Sequence, residues 1–142
     1  MSKPQPELQG PPLKPGRYIK ISLFLKRKPD VTEEYFHAYW LHNHTNLFLE
    51  VKAFKELVRK YNQSHYIKEL ADMNQEIFVN APRVEFDGVA EFWMDSMDDW
   101  RKLWNDEEFT RVLKGDSDYF TILPLHATAG YDYLFKDDTN EV

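Results

Sequence analysis

The sequence predicts an α+β domain in which two helices cover one face of a four-stranded antiparallel sheet, in the order β-α-β-β-α-β. Three observations carry this. Four separated runs read as strands, two of them with clear period-two alternation of apolar residues. Two other stretches carry apolar residues at helical spacing. Thr32 and Ser96 stand where each of those helices needs an N-cap. At 142 residues the chain is long enough for one hydrophobic core and too short for two.

Residues 1–16 hold most of the eight prolines, a composition suited to an extended arm. From Tyr18 to Lys26 the chain alternates. Ile19, Ile21, Leu23 and Leu25 make one face; Tyr18, Lys20, Ser22, Phe24 and Lys26 make the other. Lys28-Pro29-Asp30 ends this strand, and Thr32 caps a helix with Glu33 and Glu34 in its first turn. The helix is predicted to run to about Glu50, with Phe36, Tyr39, Trp40 and Leu47 as its buried stripe. Leu57 to Tyr66 alternates again as the second strand. Residues 67–82 are mixed polar and end in Asn-Ala-Pro, which predicts a loop with at most a helical turn.

Val84 to Met94 reads as the third strand, with Asp87-Gly88 near its start. Ser96 caps a second helix with Met97, Trp100 and Trp104 on one face. Phe109, Val112 and Leu113 extend it to an expected stop at Gly115. After a loop through Pro124, His126 to Phe135 is the last strand. The folded domain is therefore expected over 17–136, between the arm of 1–16 and an acidic tail of 137–142. Helices on one side leave the second sheet face open, with Phe24 or Tyr131 shown to water according to register. A face of that kind normally marks an interface, and two sheets closing by two-fold symmetry predict a homodimer.

Composition excludes several classes. A net charge of −6 argues against nucleic acid, which demands clustered Lys and Arg. No stretch approaches the roughly 20 apolar residues of a membrane span, and Met1 to Lys14 has no apolar core of a secretory signal. Without cysteine there is no disulfide framework, thiolate nucleophile or zinc knuckle. A cytoplasmic protein is the expectation. Neither a G-x-S-x-G elbow nor a phosphate-binding or dinucleotide-binding glycine loop is present.

Five histidines are the side chains whose ordinary pKa suits proton transfer near neutrality. His44 lies four residues beyond Trp40 and flanks the apolar stripe, whereas His42 is rotated from it by about 200° and faces solvent. The same rotation argues against a metal held by His42 and His44, and His37 has no partner four residues on, so no metal site is expected. His65 shares a strand face with Tyr61 and Gln63 because strand side chains alternate. A phenol, an amide and an imidazole on one wall suit a phenolic or carboxylated substrate, or else make a polar layer in the core. His126, at the start of the last strand, reads as structural or exposed. Glu91 lies in an apolar run and needs a partner, either Arg59 on the neighbouring strand or a histidine that it would orient. Trp93 lines a cavity if its strand face points inward. Asp116 and Asp118 fall in the loop before the last strand, where solvated charge is the simplest account.

Several stretches resemble the EthD family. Ile19-Lys20-Ile21-Ser22-Leu23-Phe24-Leu25-Lys26-Arg27-Lys28-Pro29, then Thr32-Glu33-Glu34-Tyr35-Phe36, is similar to that family's strand-to-helix entry. Tyr39-Trp40, His44, Tyr61-Asn62-Gln63-Ser64-His65 and Phe86-Asp87-Gly88-Val89-Ala90-Glu91-Phe92-Trp93 follow in order. The similarity spans roughly residues 17–135. It departs from the family where Thr45-Asn46 replaces the Gly-Pro that often follows the helix histidine.

The resemblance implies a ferredoxin-like fold, assembled as a dimeric α/β barrel that carries no prosthetic group. Similar fungal proteins act on aromatic polyketide intermediates in secondary metabolism, as decarboxylases, dehydratases or cyclases. For this chain it implies a cofactor-free lyase with His65, His44 and Tyr61 as catalytic groups. Gln63, Glu91, Trp93 and Asp118 would then bind substrate. Two other functions fit the same resemblance. One is a cofactor-independent oxygenase of anthrone-like phenols; the other is a non-catalytic module that binds a hydrophobic metabolite or a partner enzyme.

Overall fold

The structure, a computed structural model, describes residues 3–140. Its elements are β1 (Ile19–Leu25), α1 (Glu33–Ala38), a π-helical segment (Tyr39–His44), α2 (Thr45–Leu49), α3 (Lys52–Leu57), β2 (Val58–His65), α4 (Lys68–Ile77), β3 (Gly88–Met94), α5 (Met97–Asn105), α6 (Glu107–Ser117) and β4 (His126–Tyr131). All strand pairs are antiparallel, and the sheet order is β2-β3-β1-β4. That order, with helices between β1 and β2 and between β3 and β4, is the ferredoxin-like α+β fold.

Alternation decides the faces. Ile19, Ile21, Leu23 and Leu25 of β1 sit opposite Met94, Phe92, Ala90 and Gly88 of β3. They form one core with Phe36, Trp40, Phe48, Phe54, Leu103 and Phe109 from the helices. The caps are where the sequence places them: the Thr32 hydroxyl accepts from the Tyr35 amide and the Ser96 hydroxyl from the Asp99 amide. The other sheet face carries Lys20, Phe24, Glu91, Trp93, Asn62 and Thr128 by register. Phe24 lies on this open face, tilted against Phe86. Tyr131 is exposed but pairs with Ile19 on the helix-side face, so only one of the two aromatic residues marks the open surface.

Five departures from the predicted elements matter. The first helix is interrupted by a π turn, and Leu47 is 47% exposed while Phe48 is buried. Hydrogen bonding to the fifth residue widens the turn, so the buried stripe steps by four: Phe36, Trp40, His44, Phe48. The chain then folds α3 directly before β2, a helix that the sequence left unassigned. Residues 68–77 form a ten-residue helix and not a loop; it buries no side chain, which is why mixed polarity misread it. The last helical stretch breaks at Asp106, whose carboxylate caps α6 by accepting from the Phe109 amide. It then continues through Gly115 to Ser117. Gly115 has an ordinary helical backbone, since Gly10 has the only positive φ among the described residues. The final strand ends at Tyr131, short of the expected Phe135. Residues 3–15 form no helix or strand and are exposed.

Candidate functional site

Tyr61, Gln63 and His65 alternate along β2, and their side chains join in one hydrogen-bonded row. The Gln63 amide nitrogen donates to the Thr45 hydroxyl at 2.6 Å and to the Tyr61 oxygen at 2.9 Å. The Thr45 hydroxyl spends its own proton on the Trp40 carbonyl, at 2.7 Å within the π turn. It must therefore accept from Gln63, which orients that amide and leaves its carbonyl oxygen for His65, 2.8 Å from Nε2. A carbonyl only accepts, so His65 carries its proton on Nε2 and its Nδ1 is bare.

That bare nitrogen meets a second histidine. His37 Nδ1 lies 2.7 Å from His65 Nδ1, and the tautomer just derived makes His37 the donor. His37 Nε2 is then the free end of the pair. It is buried, makes no hydrogen bond, and lies 3.8 Å from a Glu33 carboxylate oxygen. Burial, reinforced by the neighbouring His37, pushes the His65 pKa down to about 4. His65 is thus neutral at pH 7. Burial likewise pushes the Tyr61 hydroxyl up to about 12, against the donors Gln63 and Trp40.

His65 faces a cleft of about 570 Å³ bounded by α4, the segment from Phe78 to Asp87, and the ends of β1 and β2. Its apolar wall includes Leu70, Phe78, Val84 and Phe86. This volume is in the range of small-molecule sites. On the core side of His65, away from the cleft, is the buried Trp40, its ring centroid 4.3 Å from that of His65. The indole fits because Gly88 opposite has no side chain: a Cβ there would lie 2.5 Å from Trp40 Cζ3 and 2.7 Å from the Ser64 carbonyl oxygen.

Behind Trp40 is a second, enclosed arrangement. His44 is 6% exposed and its Nδ1 contacts an Asp116 carboxylate oxygen at 2.7 Å. The other oxygen of Asp116 accepts from the Tyr39 hydroxyl at 2.5 Å. Burial holds the His44 pKa below its ordinary value, against the pull of Asp116. Burial and the Asp116 carboxylate both raise Tyr39. His44 and Tyr61 line a void of about 20 Å³ between sheet and helices, room for one water. Asp116 belongs here because α6 runs through Gly115; it is not the solvated loop charge that the sequence suggested.

The remaining predicted residues lie elsewhere. Glu91 is on the open sheet face, 3.3 Å from Lys20 and accepting from Asn62 at 3.1 Å. It cannot orient a histidine on the opposite face, and Arg59 pairs with Asp95 instead. Trp93 shares that open face; its indole donates to Asp132 at 2.7 Å, and the Lys60 ammonium lies 4.4 Å from its ring centroid. Asp118 is a surface residue, its side chain 74% exposed and 3.4 Å from the Lys28 ammonium. His42 is exposed as expected. His126 is exposed against Phe86. Among the described residues no group of three His, Asp or Glu side chains is arranged to hold a metal ion.

Sequence reasoning missed His37 because it was weighed only as a chelator. The available signal was its spacing of three to Trp40 and seven to His44, which shares their helix face, and of four from Glu33.

The model of the EthD domain family matches residues 28–123. No curated protein matches the chain in sequence. Similar solved structures include a dimeric ferredoxin-like protein of unknown function from Bacteroides fragilis, at TM-score 0.56 and 12% identity, over 84% of this chain and 100% of that one. An EthD family protein from Bacillus halodurans superposes at TM-score 0.54 and 15% identity, over 81% of this chain and 98% of that one. The hydroxynitrile lyase of Passiflora edulis does so at TM-score 0.56 and 7% identity, over 87% and 100% of the two chains.

Proposed function

The chain belongs to the EthD domain family, and on that premise we propose that it is a lyase using the His37–His65 pair as an acid–base relay on an aromatic, polyketide-type β-keto acid or β-hydroxy ketone. The observation that carries this reading is the 2.7 Å contact between the two Nδ1 atoms, in a network that assigns both tautomers, at the wall of a cleft large enough for such a substrate.

In the relay a substrate oxygen takes the place of the Gln63 carbonyl at His65 Nε2 and receives its proton. His65 Nδ1 takes the His37 Nδ1 proton in the same movement, and His37 Nε2 takes up a proton from solvent water on the Glu33 side. Both rings remain neutral throughout, in keeping with a His65 pKa far below 7. For a β-keto acid the bond to the carboxyl carbon breaks, carbon dioxide leaves, and the electron pair becomes an enol whose oxygen holds the His65 proton. For a β-hydroxy ketone the pair starts from the shifted tautomer, with His65 protonated on Nδ1: its bare Nε2 takes the α-proton as the Nδ1 proton passes to His37, and Nε2 then returns a proton to the hydroxyl, which leaves as water. Tyr61 and Gln63 brace His65. His44 with Asp116 and Tyr39 shapes the wall behind Trp40.

The unpaired sheet face, with Phe24 and Trp93, supports a homodimer, as do similar structures described as dimeric. Sedimentation equilibrium should return twice the chain mass, and a monomer at micromolar concentration would refute the dimer.

The test of the chemistry is incubation of the purified protein with a panel of aromatic polyketide acids and β-hydroxy ketones, followed by mass spectrometry. Loss of carbon dioxide or water, slowed about 10²–10⁴-fold in both His65→Gln and His37→Gln, is expected. Gain of oxygen would instead support an oxygenase. Turnover untouched by either change would refute the relay.

A further inference from the structure

Among the described residues, Arg27 is the one cation lining the His65 cleft that has no carboxylate partner. It lies two residues past the end of β1 and lines the same cleft as His65. Its guanidinium donates through Nη1 to the Val31 carbonyl, its Nε is buried without any hydrogen-bond partner, and it forms no salt bridge among the described residues, in contrast to the other cleft cations. Lys68 and Arg83 share the Asp72 carboxylate, one on each oxygen, at 2.6 Å each. The cleft also holds Glu33 and Asp87, and neither serves the Arg27 side chain. The Glu33 carboxylate accepts from the Lys68 amide at 2.8 Å, and Asp87 accepts from the Arg27 backbone amide at 2.6 Å.

A half-buried guanidinium with no carboxylate partner is costly unless an acceptor arrives at its open edge. A planar carboxylate is the acceptor whose geometry matches its fork.

We infer that Arg27 is the carboxylate-binding residue of the cleft, and that the ligand is an aromatic carboxylic acid whose rings lie against Phe78 and Phe86. Register supports the span. Leu25, Gly88 and His65 lie side by side across β1, β3 and β2, so the end of β1, which Arg27 follows by two residues, is two strand spacings, about 10 Å, from His65. A fused two-ring acid bridges that distance, with its carboxylate on Arg27 and a phenol or ketone oxygen at the far end of the rings at His65; the carboxylate on Arg27 is then an anchor, distinct from any carboxyl group lost beside His65. The inference rests on the proposed acid–base reading for the role of His65, whereas the binding itself does not depend on turnover.

Equilibrium binding of 6-hydroxy-2-naphthoate, whose two oxygen groups lie at opposite ends of the rings, to the full chain, followed by tryptophan fluorescence, tests it, with the methyl ester as the uncharged control. Wild type should bind the acid at least 10-fold more tightly than the ester. Arg27→Gln should weaken the acid about 10–100-fold, the worth of one charge-assisted pair, and leave the ester unchanged; Arg27→Lys should fall between. His65→Gln should still bind the acid, which separates failure of the relay from failure of this site. Equal affinity of wild type for acid and ester, a result independent of how any variant folds, would overturn the assignment, as would undetectable binding of the acid or an Arg27→Gln protein that binds it normally.

Discussion

Replacing His65 by glutamine isolates what it means for that ring to be held neutral. Folding takes its pKa from 6.5 to about 4, chiefly through burial against Trp40 and the β2 wall. Because the folded value lies below the unfolded one, the unfolded chain takes up a proton between pH 6.5 and 4 that the native protein refuses. Stability is therefore complete above about pH 6.5, declines as pH falls through that window, and levels off below 4. At about 1.4 kcal/mol per pH unit the ceiling is roughly 3 kcal/mol. Water on the cleft side screens part of it, and about 1–2 kcal/mol is the expected size. Glutamine accepts from His37 Nδ1 and donates to Gln63 as histidine does, but it has no proton to gain. Urea denaturation at pH 7 and pH 4.5 should show wild type losing about 1–2 kcal/mol more than His65→Gln over that interval. Carboxylates titrating elsewhere affect both proteins and cancel in the difference. Parallel losses, within about 0.5 kcal/mol, would refute the argument that His65 enters the fold uncharged.

Two further substitutions probe the walls. Asp116→Ala removes the acceptor shared by the Tyr39 hydroxyl and His44 Nδ1, each at 2.7 Å or less. Leaving both polar groups stranded inside should cost about 3–5 kcal/mol, a fall of roughly 10 °C in Tm; differential scanning calorimetry showing a fall under 2 °C would count against a structural pairing. Gly88→Ala places a Cβ against the Trp40 ring and the Ser64 carbonyl. It should destabilise by about 1–3 kcal/mol and shift tryptophan emission as the indole moves; an unchanged spectrum and midpoint would mean that the ring is not wedged there.

Local rules carried much of this protein. Period-two alternation placed Ile21, Leu23 and Leu25 on the core side and grouped Tyr61, Gln63 and His65 on one wall, because side-chain direction in a strand depends only on parity. Thr32 and Ser96 announced the helix starts because a cap is made by residues three apart in sequence. From these came the element order, the sheet with one covered face, and half of the candidate site.

The rest depended on partners distant in sequence. His37 and His65 are 28 residues apart, and only the packing of α1 over β2 turns two ordinary histidines into a pair with assigned tautomers. The π turn moved burial from Leu47 to Phe48, and with the step of four it brought His44 inward. A helix that continues through Gly115 carried Asp116 under His44, 72 residues away. Glu91 went to the other face because its strand parity opposes that of Phe92, and Lys20 was waiting there. Arg27 could not be read as idle from sequence at all, since whether a charge is paired depends on what the folded chain places around it. Periodicity and capping are properties of neighbours along the chain; pairing, burial and the pKa values that follow from them are properties of neighbours in space.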